Sequence, residues 1–348
     1  MMKAAQLTGW RRPLEIVDLA EPKAVAGGVV LKVLACGVCR SDWHAWVGAD
    51  PDVHLPHVPG HEFCGEVVGV GLGVARWRVG DRVIAPFILA CGACPDCAAG
   101  NQTICAAQAV PGFTIPGAFA EQIAVPFADH NLTGLPESIA PALAAGLGCR
   151  VTTAWHALTG RAALRPGEWL VVFGGGGVGT AALLLGRALR ARVVVVDVVE
   201  EKLNYAIALG ADAVVNASAV DAAEAVREIT GGGADLALEA LGIEATVVGA
   251  VKSLKKLGRM VMVGMPAGDH ATMSMPMDVV YSGQLALFGT RGMPAWRYPS
   301  LLSLIEAGQV DLSPLVTRHI RLSQASEELA AFDAPAPPGV AVITDFAT

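Results

Sequence analysis

The run Leu170-Val-Val-Phe173-Gly174-Gly-Gly176-Gly177-Val178-Gly179, followed by Arg192-Val-Val-Val-Val196-Asp197, decides the fold. Apolar residues lead straight into the glycines, the pattern of a strand buried on both faces. Gly174, Gly176 and Gly179 fit G-x-G-x-x-G: a tight turn, a close backbone approach to a pyrophosphate, and close packing of helix on strand. From Val178 the period turns helical, with Ala182, Leu185 and Leu189 on one side and Arg187 and Arg190 left for solvent. A second apolar strand then delivers Asp197, 21 residues past Gly176, near the spacing of about 20 for a carboxylate on a ribose 2′-hydroxyl. Glycines alone mark any loose loop. Strand, helix, strand and acid in that order read as a dinucleotide-binding unit.

The 348 residues exceed what one hydrophobic core usually serves, so two domains are expected. A net charge of −7 without a basic run argues against nucleic acid and against an anionic membrane surface. Trp169–Gly186 is uncharged, but its glycines and its change of period make it strand, turn and helix rather than a membrane span. The start lacks the apolar core of a signal peptide, and the chain reads as soluble and cytoplasmic. That compartment makes the eight cysteines metal ligands or buried thiols rather than disulfides. Cys91-x2-Cys94-x2-Cys97-x7-Cys105 places four thiolates on one loop, enough to close a tetrahedral structural zinc site. An iron–sulfur cluster is the rival, but the wide last gap and the missing proline depart from C-x2-C-x2-C-x3-C-P.

Upstream, Val29–Leu34, Gly65–Gly71 and Gly80–Ile84 read as short strands punctuated by Gly and Pro, a compact β barrel. Ala140–Leu158 is an apolar helical stretch. After Asp197, helices near Glu200–Leu209, Val220–Ile229 and Glu244–Leu254 alternate with strands Ala213–Val215, Asp235–Leu238 and Arg259–Val263. Such alternation means a doubly wound parallel sheet. The last part of the chain adds a helix at Tyr298–Ala307, a rigid turn at Pro335-Ala-Pro-Pro338 and an apolar end, Val340–Ile343.

Taken in order, Gly37-Val-Cys39-Arg40-Ser41-Asp42, Pro59-Gly-His61-Glu62, the four-cysteine loop, Gly148-Cys149, the Gly174–Gly179 turn and Asp197 resemble the zinc-dependent medium-chain alcohol dehydrogenases. The resemblance covers nearly the whole chain. It implies an α/β protein with a GroES-like β-barrel catalytic domain at 1–150, completed by 290–348, around a Rossmann domain at 151–289. It also implies two Zn2+ ions per chain, the structural one above and a catalytic one on Cys39, His61 and Cys149. NAD would take hydride from a small alcohol to give an aldehyde or ketone. From the residues alone the ligand choice stays open, because His54 and His57 lie near His61, and Cys36 and Cys64 neighbour the other ligands. Only His61 precedes Glu62 after Pro59-Gly60, as in the family.

By the same resemblance Asp42 orients the ligand histidine, and Glu62 is the carboxylate near the zinc. Ser41 and His44 relay the alcohol proton outward, and Arg40 meets the cofactor pyrophosphate. Thr153 and Val178 pack on the nicotinamide, Gly177, Lys202 and Val263 also line the cofactor, and Trp46 and Phe87 line the substrate pocket. Asp197 favours NAD over NADP. A polyol or amino-alcohol dehydrogenase is the nearest alternative, but that branch commonly has glutamate where this chain has Cys149. Zinc-free quinone reductases lack these ligands. A non-catalytic cofactor-binding relative generally loses ligands that are all present here. The family implies a homo-oligomer, dimer or tetramer.

Overall fold

The computed structural model describes residues 1–334 and 338–347; positions 335–337 of the turn expected at Pro335–Pro338 lie outside them. Its centre is a six-stranded parallel sheet in the order Ala213–Asn216, Arg192–Asp197, Trp169–Phe173, Ala234–Glu239, Leu254–Met262, Ala286–Gly289. The strand order reverses between Trp169–Phe173 and Ala234–Glu239, which leaves a crevice at the carboxyl ends of those strands. The valine runs follow from burial on both faces. Leu170, Val172, Val193 and Val195 pack with Ala181, Ala182 and Leu185 of helix Gly177–Ala188. Val171, Phe173, Val194 and Val196 pack with Val247, Ala250 and Val251 of helix Glu244–Lys252 on the other face. Neither face meets water, so polar and apolar residues do not alternate.

The second sheet is mostly antiparallel. Its order is Val316–Arg321, Val340–Asp345, Val29–Gly37, Glu62–Val70, Arg82–Ile84, Thr133–Gly134, with Gln122–Val125 also on Val29–Gly37. Two of its strands thus come from the C-terminal part of the chain. Gly37 pairs with Glu62 and Cys36 with Phe63, so one end of this strand pair carries Cys39 and His61 side by side. One apolar cluster runs unbroken from Ala35 and Ile84 of the barrel through Leu147 and Leu158 to Leu170 and Leu183 of the parallel sheet. Among the described residues no helix is long and apolar enough to cross a membrane.

Three elements differ from expectation. Strand Leu254–Met262 starts ahead of its apolar run, because Leu254 already pairs with Ala234 while Lys255 and Lys256 face solvent. The edge strand Ala286–Gly289 has no sequence signature: it is four residues long and only half-buried. The stretch from Pro141 to Arg161 is helical, but Leu147–Val151 and His156–Arg161 widen into π-helical turns.

Candidate functional site

Cys39 follows strand Val29–Gly37, His61 precedes strand Glu62–Val70, and Cys149 sits in the π-helical turn Leu147–Val151, a distortion frequent at functional sites. Donor atoms of Cys39, His61, Glu62 and Cys149 all lie within 4.8 Å of one another. His61 Nδ1 meets Asp42 Oδ1 at 2.8 Å, and Asp42 is itself fixed by the N–H groups of Cys39 (2.9 Å) and Gly60 (3.2 Å). His61 Nε2, on the far side of the ring, is buried with no hydrogen-bond partner among the described residues. A buried nitrogen left so is costly, and a metal ion removes that cost. Two thiols and an imidazole with one position left over fit a catalytic zinc. The Cys39 thiol is held well below its ordinary range, chiefly by a hydrogen bond from Cys149, while Cys149 is pushed well above.

Glu62 is fully buried in space that Gly37 and Gly148 leave for it: a β-carbon on either would lie 2.6 Å from the glutamate side chain. Its Oε1 accepts the Cys149 N–H at 3.0 Å and its Oε2 pairs with Arg150 at 2.8 Å. Both oxygens are engaged, so Glu62 braces the Cys149 turn. Burial raises its carboxyl above the ordinary range, with the Arg150 charge opposing.

In the four-cysteine loop, Cys94 Sγ lies 3.4 Å from Cys97 Sγ and 3.8 Å from Cys105 Sγ, and all four sulfurs fall within 4.8 Å. A zinc–sulfur bond of about 2.3 Å spaces tetrahedral sulfurs about 3.8 Å apart, so the loop fits a closed zinc site. Backbone N–H groups of Ala93 and Cys94 bring Cys91 down to about 7. The same loop holds the chain that leaves the parallel sheet. Trp296 donates to Gly100 O at 3.1 Å, the Ala295 N–H to Gln102 Oε1 at 3.1 Å, and Arg291 to Gln108 Oε1 at 3.3 Å.

At the glycine turn, Gly174 has φ 104°, and a β-carbon on Gly179 would lie 1.8 Å from Gly174 O. Gly176 faces open space, and helix Gly177–Ala188 has no side-chain cap. Its first N–H groups therefore suit a pyrophosphate. Asp197 accepts the N–H groups of Gly175 (2.7 Å), Val198 (2.8 Å) and Val199 (2.9 Å), with Lys202 Nζ 3.9 Å away. Val263, just past strand Leu254–Met262, donates its N–H to Glu239 O at 2.8 Å. Turn, acid and Val263 thus share the carboxyl edge of the sheet.

Residues 25–137 match the family model of the alcohol dehydrogenase GroES-like domain, and residues 177–307 that of zinc-binding dehydrogenases. An alcohol dehydrogenase of Geobacillus stearothermophilus is 38% identical over 276 residues, 76% of this chain and 78% of its own. The chain belongs to the zinc-type alcohol dehydrogenase family. An NAD-dependent alcohol dehydrogenase of Sulfurisphaera tokodaii is 34% identical over 342 residues, 94% of this chain and 95% of its own. The solved alcohol dehydrogenase of Thermus sp. ATN1 superposes with a TM-score of 0.91 at 30% identity, over 98% of this chain and 100% of that one. This zinc-type alcohol dehydrogenase is an NAD-linked oxidoreductase built from a GroES-like barrel and a Rossmann sheet.

In this alcohol dehydrogenase, Ser41 Oγ lies 3.9 Å from Cys39 Sγ, and His44 follows on helix Arg40–Trp46 with its ring edge-on to Trp43. Thr153 Oγ1 donates to Cys149 O at 2.5 Å, and Val178 stands half-buried in the first turn of helix Gly177–Ala188. Phe87 packs with Ala45, Val53, Ile88, Val110 and Phe113 beside Cys149, and both aromatic rings meet His61 edge-on, at 5.8 and 5.3 Å.

One expectation needs correction. Trp46 does not join this wall: it is buried in the barrel core and donates to Arg12 O at 2.6 Å. Successive helical residues point about 100° apart, so the face that turns Ala45 to the wall turns Trp46 away. Arg40 donates to Phe332 O at 2.9 Å and stacks between Trp43 and Phe332, 4.9 and 5.3 Å from their rings. Arg40 is exposed, and among the described residues only its Nη1 is engaged in a hydrogen bond. His54 is exposed, His57 is tied through its backbone to Leu7, and Cys36 and Cys64 are buried thiols facing carbonyls. Phe113 and Arg150 escaped the sequence reading. Arg150 had a signal, as a lone charge in the apolar stretch after Ala140.

Proposed function

We propose that this dehydrogenase oxidises a small apolar alcohol with NAD, and reduces the matching aldehyde or ketone in reverse. The cleft lies between a catalytic domain of residues 1–150 and 290–348 and a Rossmann domain of residues 151–289. The observation that carries this reading is the convergence of the Cys39, His61 and Cys149 donors beside an apolar wall that holds Phe87 and Phe113. Those three residues hold the catalytic zinc, and Cys91, Cys94, Cys97 and Cys105 the structural one. Zinc held there would supply Lewis acidity at the alcohol oxygen, and bound NAD would supply the hydride acceptor.

The remaining work falls to the chain. Asp42 accepts from His61 Nδ1, which leaves the Nε2 lone pair free to hold a metal. Ser41 Oγ takes the alcohol proton, and His44 passes it outward. Asp197, Lys202, Val263 and the Gly174–Gly179 turn seat the cofactor, with Thr153 and Val178 against its nicotinamide. The wall of Ala45, Val53, Phe87, Ile88, Val110 and Phe113 is a packed apolar surface, which favours a simple alcohol over a polyol. The enzyme works, in this reading, as a cytoplasmic homo-oligomer: exposed Met277 and Tyr281 accompany the open edge of Ala286–Gly289.

An NAD-coupled screen across short, branched, aromatic and polyol alcohols tests the reading. NADH formation should be fastest with apolar alcohols, and Cys39→Ser should lose it while still binding NADH. Faster turnover on polyols or amino alcohols would overturn the substrate class.

A further inference from the structure

Arg150 is among the most confined charges of the molecule, and none of the roles above uses it. It is 6% exposed, and its guanidinium pairs with Glu62 Oε2 at 2.8 Å and donates to the carbonyl of Val38, next to Cys39. Its stem reaches the cofactor side. A β-carbon on Gly177 would lie 2.5 Å from Arg150 Cδ and 2.8 Å from Nε. Gly177 opens the uncapped helix Gly177–Ala188. One side chain therefore touches the first residue of the cofactor helix, the carboxylate that braces Cys149, and the backbone beside Cys39. Removing a buried charge from such a pair leaves the other charge unpaired, so Arg150 and Glu62 stand or fall together.

We propose that Arg150 is a positioning residue that joins the two halves of the site, fixing Glu62 behind the Cys39–His61–Cys149 donors and setting a buried positive charge beneath the glycine turn, where it favours the cofactor's pyrophosphate. This rests on the reading of Gly174–Gly179 as the cofactor site. A fixed cation next to a helix N-terminus adds to the field of the exposed N–H groups, in a place that solvent and salt screen poorly. The pairing with Glu62 also transmits position. Where Gly177 sits decides where Arg150 lies, and Arg150 decides where Glu62 meets the Cys149 N–H.

The test uses the zinc-loaded enzyme, with ADP-ribose, which carries the pyrophosphate, and adenosine, which does not, each measured by displacement of NADH fluorescence. Arg150→Gln should weaken ADP-ribose roughly tenfold and leave adenosine within about twofold, since a lost charge acts on the phosphates alone. Arg150→Lys keeps the charge but not the fork, so it should retain ADP-ribose binding while kcat falls. If Arg150→Gln does not fold, the double variant Arg150→Gln/Glu62→Gln removes both buried charges and carries the same ADP-ribose measurement. ADP-ribose affinity unchanged in whichever of these two variants folds overturns the proposal alone. Equal weakening of ADP-ribose and adenosine also overturns it, because a general packing defect does that. Failure of the unmodified enzyme to bind ADP-ribose overturns the glycine-turn reading, and this proposal with it.

Discussion

At His44, burial first and the nearby Arg40 charge second lower the pKa, so the neutral imidazole persists below the ordinary value of about 6.5. A neutral ring accepts a proton, and the acid limb of alcohol oxidation should therefore fall below that value. His44→Gln should depress kcat by up to about a hundredfold near and below neutral pH, with high pH or added imidazole restoring part of it. A pH–rate profile that overlays the wild type removes His44 from the relay. Asp197 gives the second prediction at this scale. Three backbone N–H groups already hold its carboxylate, so a 2′-phosphate would meet a fixed negative charge. Asp197→Ser should narrow the preference for NAD over NADP at least tenfold in kcat/KM, a ratio that two steady-state titrations supply. The place of Asp197 beside the glycine turn was legible because its spacing from Gly176 reflects one strand–helix–strand unit. Trp46 was misread because sequence spacing says which residues share a helix but not which side each one faces. Arg150 went unread for a related reason: its partners, Glu62 and Gly177, are distant in the chain and meet only in the fold.

Among elements, the parallel strands were the easiest to read, since burial on both faces writes an unbroken apolar run. The edge strand Ala286–Gly289 has one open flank and half-buried side chains, so its pattern merges with that of a loop. The π-helical turn at Leu147–Val151 leaves no trace in residue periodicity, yet it sets where Cys149 points. The two cysteine groups differ in kind, and a pair of substitutions separates them. Cys97→Ser opens the closed loop, so zinc per chain should fall by one and Tm by roughly 5 °C or more, because such a site contributes folding energy. Cys39→Ser should leave Tm nearly unchanged and abolish turnover. Unchanged zinc content and Tm in Cys97→Ser would remove the structural assignment.

For the molecule as a whole, one apolar cluster spans barrel and parallel sheet, so the two share a core. The sequence indicated two units because 348 residues exceed what one core usually serves, but shared packing of this kind cannot be read from length. The four-cysteine loop reaches further than its own fold. Its bonds from Gly100, Gln102 and Gln108 to Trp296, Ala295 and Arg291 grip the chain where it returns from the parallel sheet to the barrel. A metal ion held by the four cysteines would thus act as a clasp on the crossing between the halves. Stripping it with a chelator should raise amide hydrogen exchange first over Arg291–Tyr298, ahead of the valine strands, as the clasped segment opens locally at a lower free energy than the core. Slow exchange there that persists after the metal is gone would mean the packing of Tyr298 alone keeps the crossing closed.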